Sequence, residues 1–384
     1  MKANAGNDYY VDIETRDADS GWQRFTTITN HIATEPIDSR LVYRLIRPLY
    51  NYFREVGIYQ RDLEGFDEIP VLDGRSFGDG CVNCHTFNRN SPATMAVNVR
   101  SRDYGRPLII VNNGQVQRIP HTAGYLSWHP SGELLAYSRN KLSLFFHTVG
   151  ENRDVFDAES DLAIYDVGTG TVALPEFIAD PARLETWPEW GPAGRFLYYS
   201  SCSPRPFAEF SEVRYDLMRV AYDHPTRAWG DVETVLAAAE TGLSATQPKV
   251  SPDGRYLLFC LSDYGSFPVY QPSSDLCLMD LAAREWHRLE CNSDQCESWH
   301  CWSSNSRWIV FSSKRLDHVF ARPHFSFISP SGHASKPFVL PQRDPAFYDS
   351  FIKTYNVPQL VTGAIRVSPE TLTEAIRNVP ASPQ

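Results

Sequence analysis

YLSWHPSGELLAYS (125–138), WPEWGPAGRFLYYS (187–200), QPKVSPDGRYLLFC (247–260) and WHCWSSNSRWIVFS (299–312) are four versions of one pattern. Each opens on an anchor (Trp128, Trp190, Val250, Trp302), continues through a four-residue turn, and ends in an alternating apolar run. The turns HPSG, GPAG, SPDG and SSNS have the Pro, Ser, Asp and Gly chemistry of tight hairpins. Runs such as RYLLFC and RWIVFS read as buried strands. A second hairpin follows each: 160–175, 215–236, 274–290 and 325–341 read strand, polar turn, strand. Two hairpins make a four-stranded antiparallel blade, and anchors 62, 60 and 52 residues apart leave room for one blade each. A lone blade cannot bury both faces, so the blades must stack around an axis. The expectation is an all-β propeller. Residues 95–119 read as a shorter fifth blade, and a sixth is favoured if the terminal segments contribute strands. An unrelated β-sandwich would lack this aligned turn-and-strand pattern.

The flanks read differently. Residues 1–94 are expected to form an N-terminal arm and haem-bearing segment, partly helical, because 39–63 carries apolar residues at mixed helical spacing broken by Pro48. Residues 95–341 are the propeller, and 342–384 read as loops and short helices packed on it. In SPETLTEAIRN (368–378) Ser368 suits an N-cap, Pro369 the first helical position, and Glu370 an acidic first turn.

The chemistry sits in GDGCVNCHTF (78–87). Cys81 and Cys84, three positions apart, can reach the two vinyl groups of one porphyrin, with His85 directed at the iron. That predicts one covalent haem c, with Gly78 and Gly80 letting the backbone approach the ring. The other reading of the pair, half of a zinc site, lacks a second C-x-x-C. Cys291, Cys296, His300 and Cys301 could form a separate metal cluster, but loop cysteines or a disulfide among Cys291, Cys296 and Cys301 are expected instead. Cys260 and Cys277 read as core. Met95, ten residues past His85, is the first candidate for a sixth iron ligand, with a core role as its alternative. His300 follows, because it stands where the other repeats have Leu126, Pro188 and Pro248, and a buried, hydrogen-bonded histidine is the competing reading. His121, His129, His147 and His324 are weaker candidates. The Trp residues beside the anchors read as propeller core, and aromatic rings near a haem could also relay electrons. No nucleophile elbow, H-E-x-x-H helix or phosphate-binding glycine loop is present.

Aromatic residues make up 13% of the chain, too many for a disordered one. A net charge of −10 without a basic run argues against nucleic acid or anionic membranes as partners. No apolar stretch approaches membrane-spanning length. The start, MKANAGNDYYVDIETRDADSG, is polar and acidic and does not read as a signal peptide. Haem c is normally attached outside the bacterial cytoplasm, so an export segment or anchor outside this sequence is expected.

Together, CVNCHTF, YLSWHPSGELLAYSRNK, SDLAIYDV, SWHCWSSNSRWIVFSSKR and KPFVLPQRDPAFYDSFIKTYNVP make the chain resemble TolB-like propeller proteins that carry a c-type haem segment. The resemblance runs from about residue 37 to 360. It implies a periplasmic or cell-surface cytochrome. The group often has a histidine where this chain has Asn98, so that ligand does not carry over. The function expected is electron transfer with a redox protein partner. The alternatives are an open-iron enzyme or small-molecule site at the channel, and a structural role in which haem staples the N-terminal segment to the propeller.

Overall fold

The computed structural model describes residues 4–47, 55–146 and 153–379; Pro48 and His147 lie outside them. The chain divides into two compact units, 1–37 and 38–384. In the first, β1 (Asp8–Val11) pairs with β4 (Ile28–His31), and β2 (Glu14–Asp17) with β3 (Gly21–Arg24), as nested hairpins. Its side chains are mostly exposed, Trp22 at 69% among them.

Among the described residues, the second unit holds six four-stranded antiparallel sheets. Blade I is β8 (Cys81–Phe87), β9 (Thr94–Arg100), β10 (Leu108–Asn112) and β11 (Gln115–Ile119). Blade II is β12 (Gly124–Trp128), β13 (Leu134–Phe146), β14 (Arg153–Asp166) and β15 (Val172–Ala173). Blade III follows with β16 (Leu184–Trp190), β17 (Phe196–Cys202), β18 (Asp216–Asp223) and β19 (Ala228–Leu236). Blade IV is β20 (Ser244–Val250), β21 (Tyr256–Ser262), β22 (Asp275–Asp280) and β23 (Glu285–Arg288). Blade V is β24 (Glu297–Trp302), β25 (Trp308–Ser313), β26 (Arg322–Phe327) and β27 (Phe338–Val339). Blade VI joins the two ends of the unit: β28 (Thr354–Val361) pairs with β5 (Arg40–Ile46), then β6 (Gly57–Asp62) and β7 (Glu68–Asp73). The first strands of blades I–V and β28 contact one another in sequence and return from β28 to β8, which closes a six-bladed propeller. Both terminal segments supply strands, as a sixth blade requires.

The repeat turns form as read. Gly132, Gly194 and Gly254 donate backbone N–H bonds to the first carbonyl of their turns. They sit at φ of 76°, 69° and 76°, which glycine adopts without strain. Ser306 does the same at 61° in the fourth turn. The anchors pack between blades: Trp128 between I and II, Trp190 between II and III, Val250 between III and IV, and Trp302 between IV and V.

The N-terminal expectation is corrected. Residues 40–46 and 57–62 are strands, and the first α-helix among the described residues is α1 (Ala238–Thr241). RLVYRLI is buried on both faces because a propeller blade has neighbours on both sides, and such a strand lacks clean alternation. The C-x-x-C-H motif is itself in the innermost strand of blade I rather than part of a separate arm. After α2 (Phe347–Ser350), α3 (Pro369–Arg377) starts with the Ser368 side chain accepting from the Thr371 N–H. Its Leu372 and Ile376 complete the core between blades VI and I.

Candidate functional site

Every inner strand carries the same β-bulge. Two residues between paired positions face a single step of the partner strand: Asn83–Cys84, Tyr125–Leu126, Trp187–Pro188, Gln247–Pro248, Trp299–His300 and Val357–Pro358. In blades II–VI the first residue of the bulge has φ between 45° and 55°. In β8 the bulge falls inside C-x-x-C-H and decides where its side chains go. Strict alternation would put residues 81, 83 and 85 on one face. The bulge instead aligns Val82 and His85 with the face that packs on blade VI, beside Phe87, Met95 and Val97. Cys81 pairs across with Arg100, and Cys84 turns toward the axis against Tyr125, Trp187 and Trp299.

A cavity of about 1200 Å³ opens at this mouth, and both Cys81 and Cys84 line it. Asn98 also faces it and hydrogen-bonds Asn83. The rim is cationic for a chain of net charge −10, with Arg44, Arg47, Arg100, Arg106, Arg139 and Lys314 against the carboxylates Glu159 and Asp161. Lys141 pairs with Glu159 at 2.7 Å. All eight cysteines are free thiols, so the disulfide expected among Cys291, Cys296 and Cys301 is not formed. Cys291 is core between blades IV and V, the Cys296 thiol bonds the Val269 carbonyl, and Cys301 points to the opposite mouth. Burial pushes the Cys84 thiol up, the reverse of what a nucleophilic thiolate needs.

His85 is 2% exposed, and neither ring nitrogen makes a hydrogen bond of ordinary geometry, although the ring approaches the Val42 backbone. Burial, with the Arg44 charge nearby, lowers its pKa to about 3, so the imidazole is neutral at pH 7. Neutral imidazole is the ligating form. With Cys84 it lines a narrow axial space of about 40 Å³ behind the wide mouth. The strand thus brings the two thiols to one wide cavity, while the imidazole lines the narrower axial space that it shares with Cys84. The set suits haem c in kind: two free thiols, a neutral imidazole without a hydrogen bond of ordinary geometry, and cations able to meet carboxylates.

The remaining candidates separate. Met95 is 1% exposed in the apolar core between blades VI and I and lines none of these cavities, so its core role replaces that of sixth ligand. The physical reason is its register: it faces Phe87 across the ladder, and the Phe87 ring stands against His85 at 5.9 Å. His300 does line the axial space, but its Nε2 is 3.3 Å from the Leu258 carbonyl and its Nδ1 3.7 Å from the Cys260 thiol. His121 lies on the rim of the wide cavity. His129 is tied to Ser131 and the Gly194 carbonyl, and His324 to the Arg322 carbonyl. Cys260 and Cys277 are fully buried core residues.

A polar ring escaped the sequence reading. Position 85 is equivalent to Ser127, Glu189, Lys249, Cys301 and Gln359, and these five line a second cavity of about 370 Å³ at the far end of the inner strands. Glu189 accepts from Lys249 at 2.6 Å and from Ser127 at 3.0 Å. The signal was present: each residue in blades II–V stands immediately before an aligned anchor.

No protein-family model and no curated protein matches the chain. Solved structures do. TolB from Acinetobacter baumannii superposes with a TM-score of 0.54 at 14% identity, over 92% of this chain and 82% of that one. A putative TolB from Agrobacterium tumefaciens gives 0.44 at 15% identity, over 80% and 89%. Prolyl oligopeptidase B from Galerina marginata gives 0.43 at 11%, over 88% of this chain and 45% of that one. The likeness to the Acinetobacter protein is one of fold: the second unit has the TolB-like β-propeller architecture.

Proposed function

We propose that the chain is a c-type cytochrome with one haem, joined through Cys81 and Cys84 with His85 as axial ligand, working outside the cytoplasm. The observation that carries this reading is the buried His85 imidazole, which makes no hydrogen bond of ordinary geometry, next in the strand to two free thiols that open on one broad cavity. A buried polar atom without a partner costs about 1–3 kcal/mol, and a ligand for it removes that cost. Haem would supply one-electron chemistry there. The chain holds the group covalently, keeps the imidazole neutral by burial, and offers Arg44, Arg100 and Arg106 to its carboxylates. Electron exchange with a protein partner at the open mouth is the function proposed.

The test is production in a host with haem-attachment machinery. Denatured protein should keep its haem absorbance and show the mass of one haem per chain, while Cys81→Ser/Cys84→Ser should lose both. An apoprotein mass for the wild type under those conditions sinks the proposal.

A second reading is an open site that acts on a small molecule. It is favoured by the hydrogen-bonded state of His300 and the core position of Met95, which leave neither turned to the wide cavity. Carbon monoxide separates the two: an unchanged reduced spectrum supports electron transfer, and a shifted one supports the open site.

A further inference from the structure

At the outer rim of the propeller, far along the chain from the haem motif, His287, Glu290 and His333 each bring a ligating atom within 4.8 Å of the others. His287 lies on β23, the outermost strand of blade IV, and Glu290 stands just past the end of that strand. His333 ends the turn that joins β26 to β27 in blade V. From these positions we infer a divalent transition-metal site of the zinc class that clasps the edges of blades IV and V.

Four observations support it. The donor set, two imidazoles and a carboxylate, is one that zinc takes with a fourth position left to water. The Nε2 of His287 is buried and has no hydrogen-bond partner, although it stands among polar groups. The His333 Nδ1 is 2.6 Å from the Glu290 Oε1, and the two histidine rings are 5.8 Å apart, so the three converge without chain movement. The ligands are also held from behind. The second Glu290 oxygen accepts from the Ala334 N–H at 2.9 Å, and the His333 N–H donates to the Ser329 hydroxyl at 3.0 Å. That turn is fixed to blade IV, because Arg255 donates to the Pro330 carbonyl at 2.8 Å and the Tyr256 hydroxyl to the same atom at 3.2 Å. Such outer contacts set ligand orientation before the ion arrives. The site uses no residue of the haem proposal and stands apart from it.

Zinc titration of the full chain, monitored by competition with a chromophoric chelator, tests the inference. Wild-type protein is expected to hold one zinc equivalent that His287→Ala and His333→Ala each lose or bind at least tenfold more weakly. Glu290→Gln should weaken it less than either. Zinc should raise the melting temperature of the wild type and leave that of the two alanine variants unmoved. Metal-free melting of the variants, matched to wild type, shows that they are folded. Equal zinc binding by wild type and folded variants, or no binding by the wild type at millimolar zinc, overturns the assignment.

Discussion

Glu185, on the inner strand of blade III, is 1% exposed, with one carboxyl oxygen lacking a partner. Burial, helped by Asp161 and Asp180, pushes its pKa up to about 8. The folded chain therefore keeps a proton that the unfolded chain releases near pH 4.5, and stability falls as pH rises from there toward 8. Glu185→Gln should remove that slope. Relative to wild type, it is expected to gain about 3 kcal/mol between pH 5 and pH 8, measured by urea unfolding at the two pH values. Close packing rules the glycines before the motif. A Cβ on Gly74 would lie 2.0 Å from the Gly80 carbonyl oxygen, and one on Gly80 would strike the Phe77 ring at 2.1 Å. The nearest demand on Gly80 is this internal contact, rather than the backbone approach to a porphyrin that its place before the motif suggests. Gly74→Ala should cost about 3 kcal/mol, read as a lower denaturation midpoint.

β28 makes the largest claim among the elements. It pairs with β5, walls the channel beside β24 and β8, and is led in by Arg322, which is fully buried and donates to the Lys353 and Phe351 carbonyls. A chain ended at residue 340 should lose the cooperative melting of the propeller, observed by circular dichroism, and expose apolar surface to dye. Leu372→Ala in α3 removes a side chain wholly buried between blades VI and I and should cost about 2–4 kcal/mol. The repeat strands were legible because turn chemistry and alternation recur with the same offset. β5 and β6 were not, since burial on both faces erases the alternation on which such reading depends. The bulge within Cys81–His85 was hidden too. It is a register property of two strands and has no residue type of its own in one of them. Met95 illustrates the same limit, because its distance from His85 in sequence says nothing about which face it takes.

For the whole molecule, the six blades and both channel cavities lie within residues 38–384. A fragment of those residues should melt within a few degrees of the full chain and keep the same near-ultraviolet circular dichroism. The likeness to the Acinetobacter TolB is one of architecture, so the chemistry of this propeller lies in its own side chains. The strand that completes blade VI is residues 354–361, while the strand it flanks, β8, is finished by residue 87. During synthesis, then, the thiols and imidazole exist for most of the chain's production with one wall of their surroundings missing. The closing strand sets a timetable: the thiols of Cys81 and Cys84 are most accessible before the last segment arrives, and the finished ring afterwards encloses the inner side of their strand.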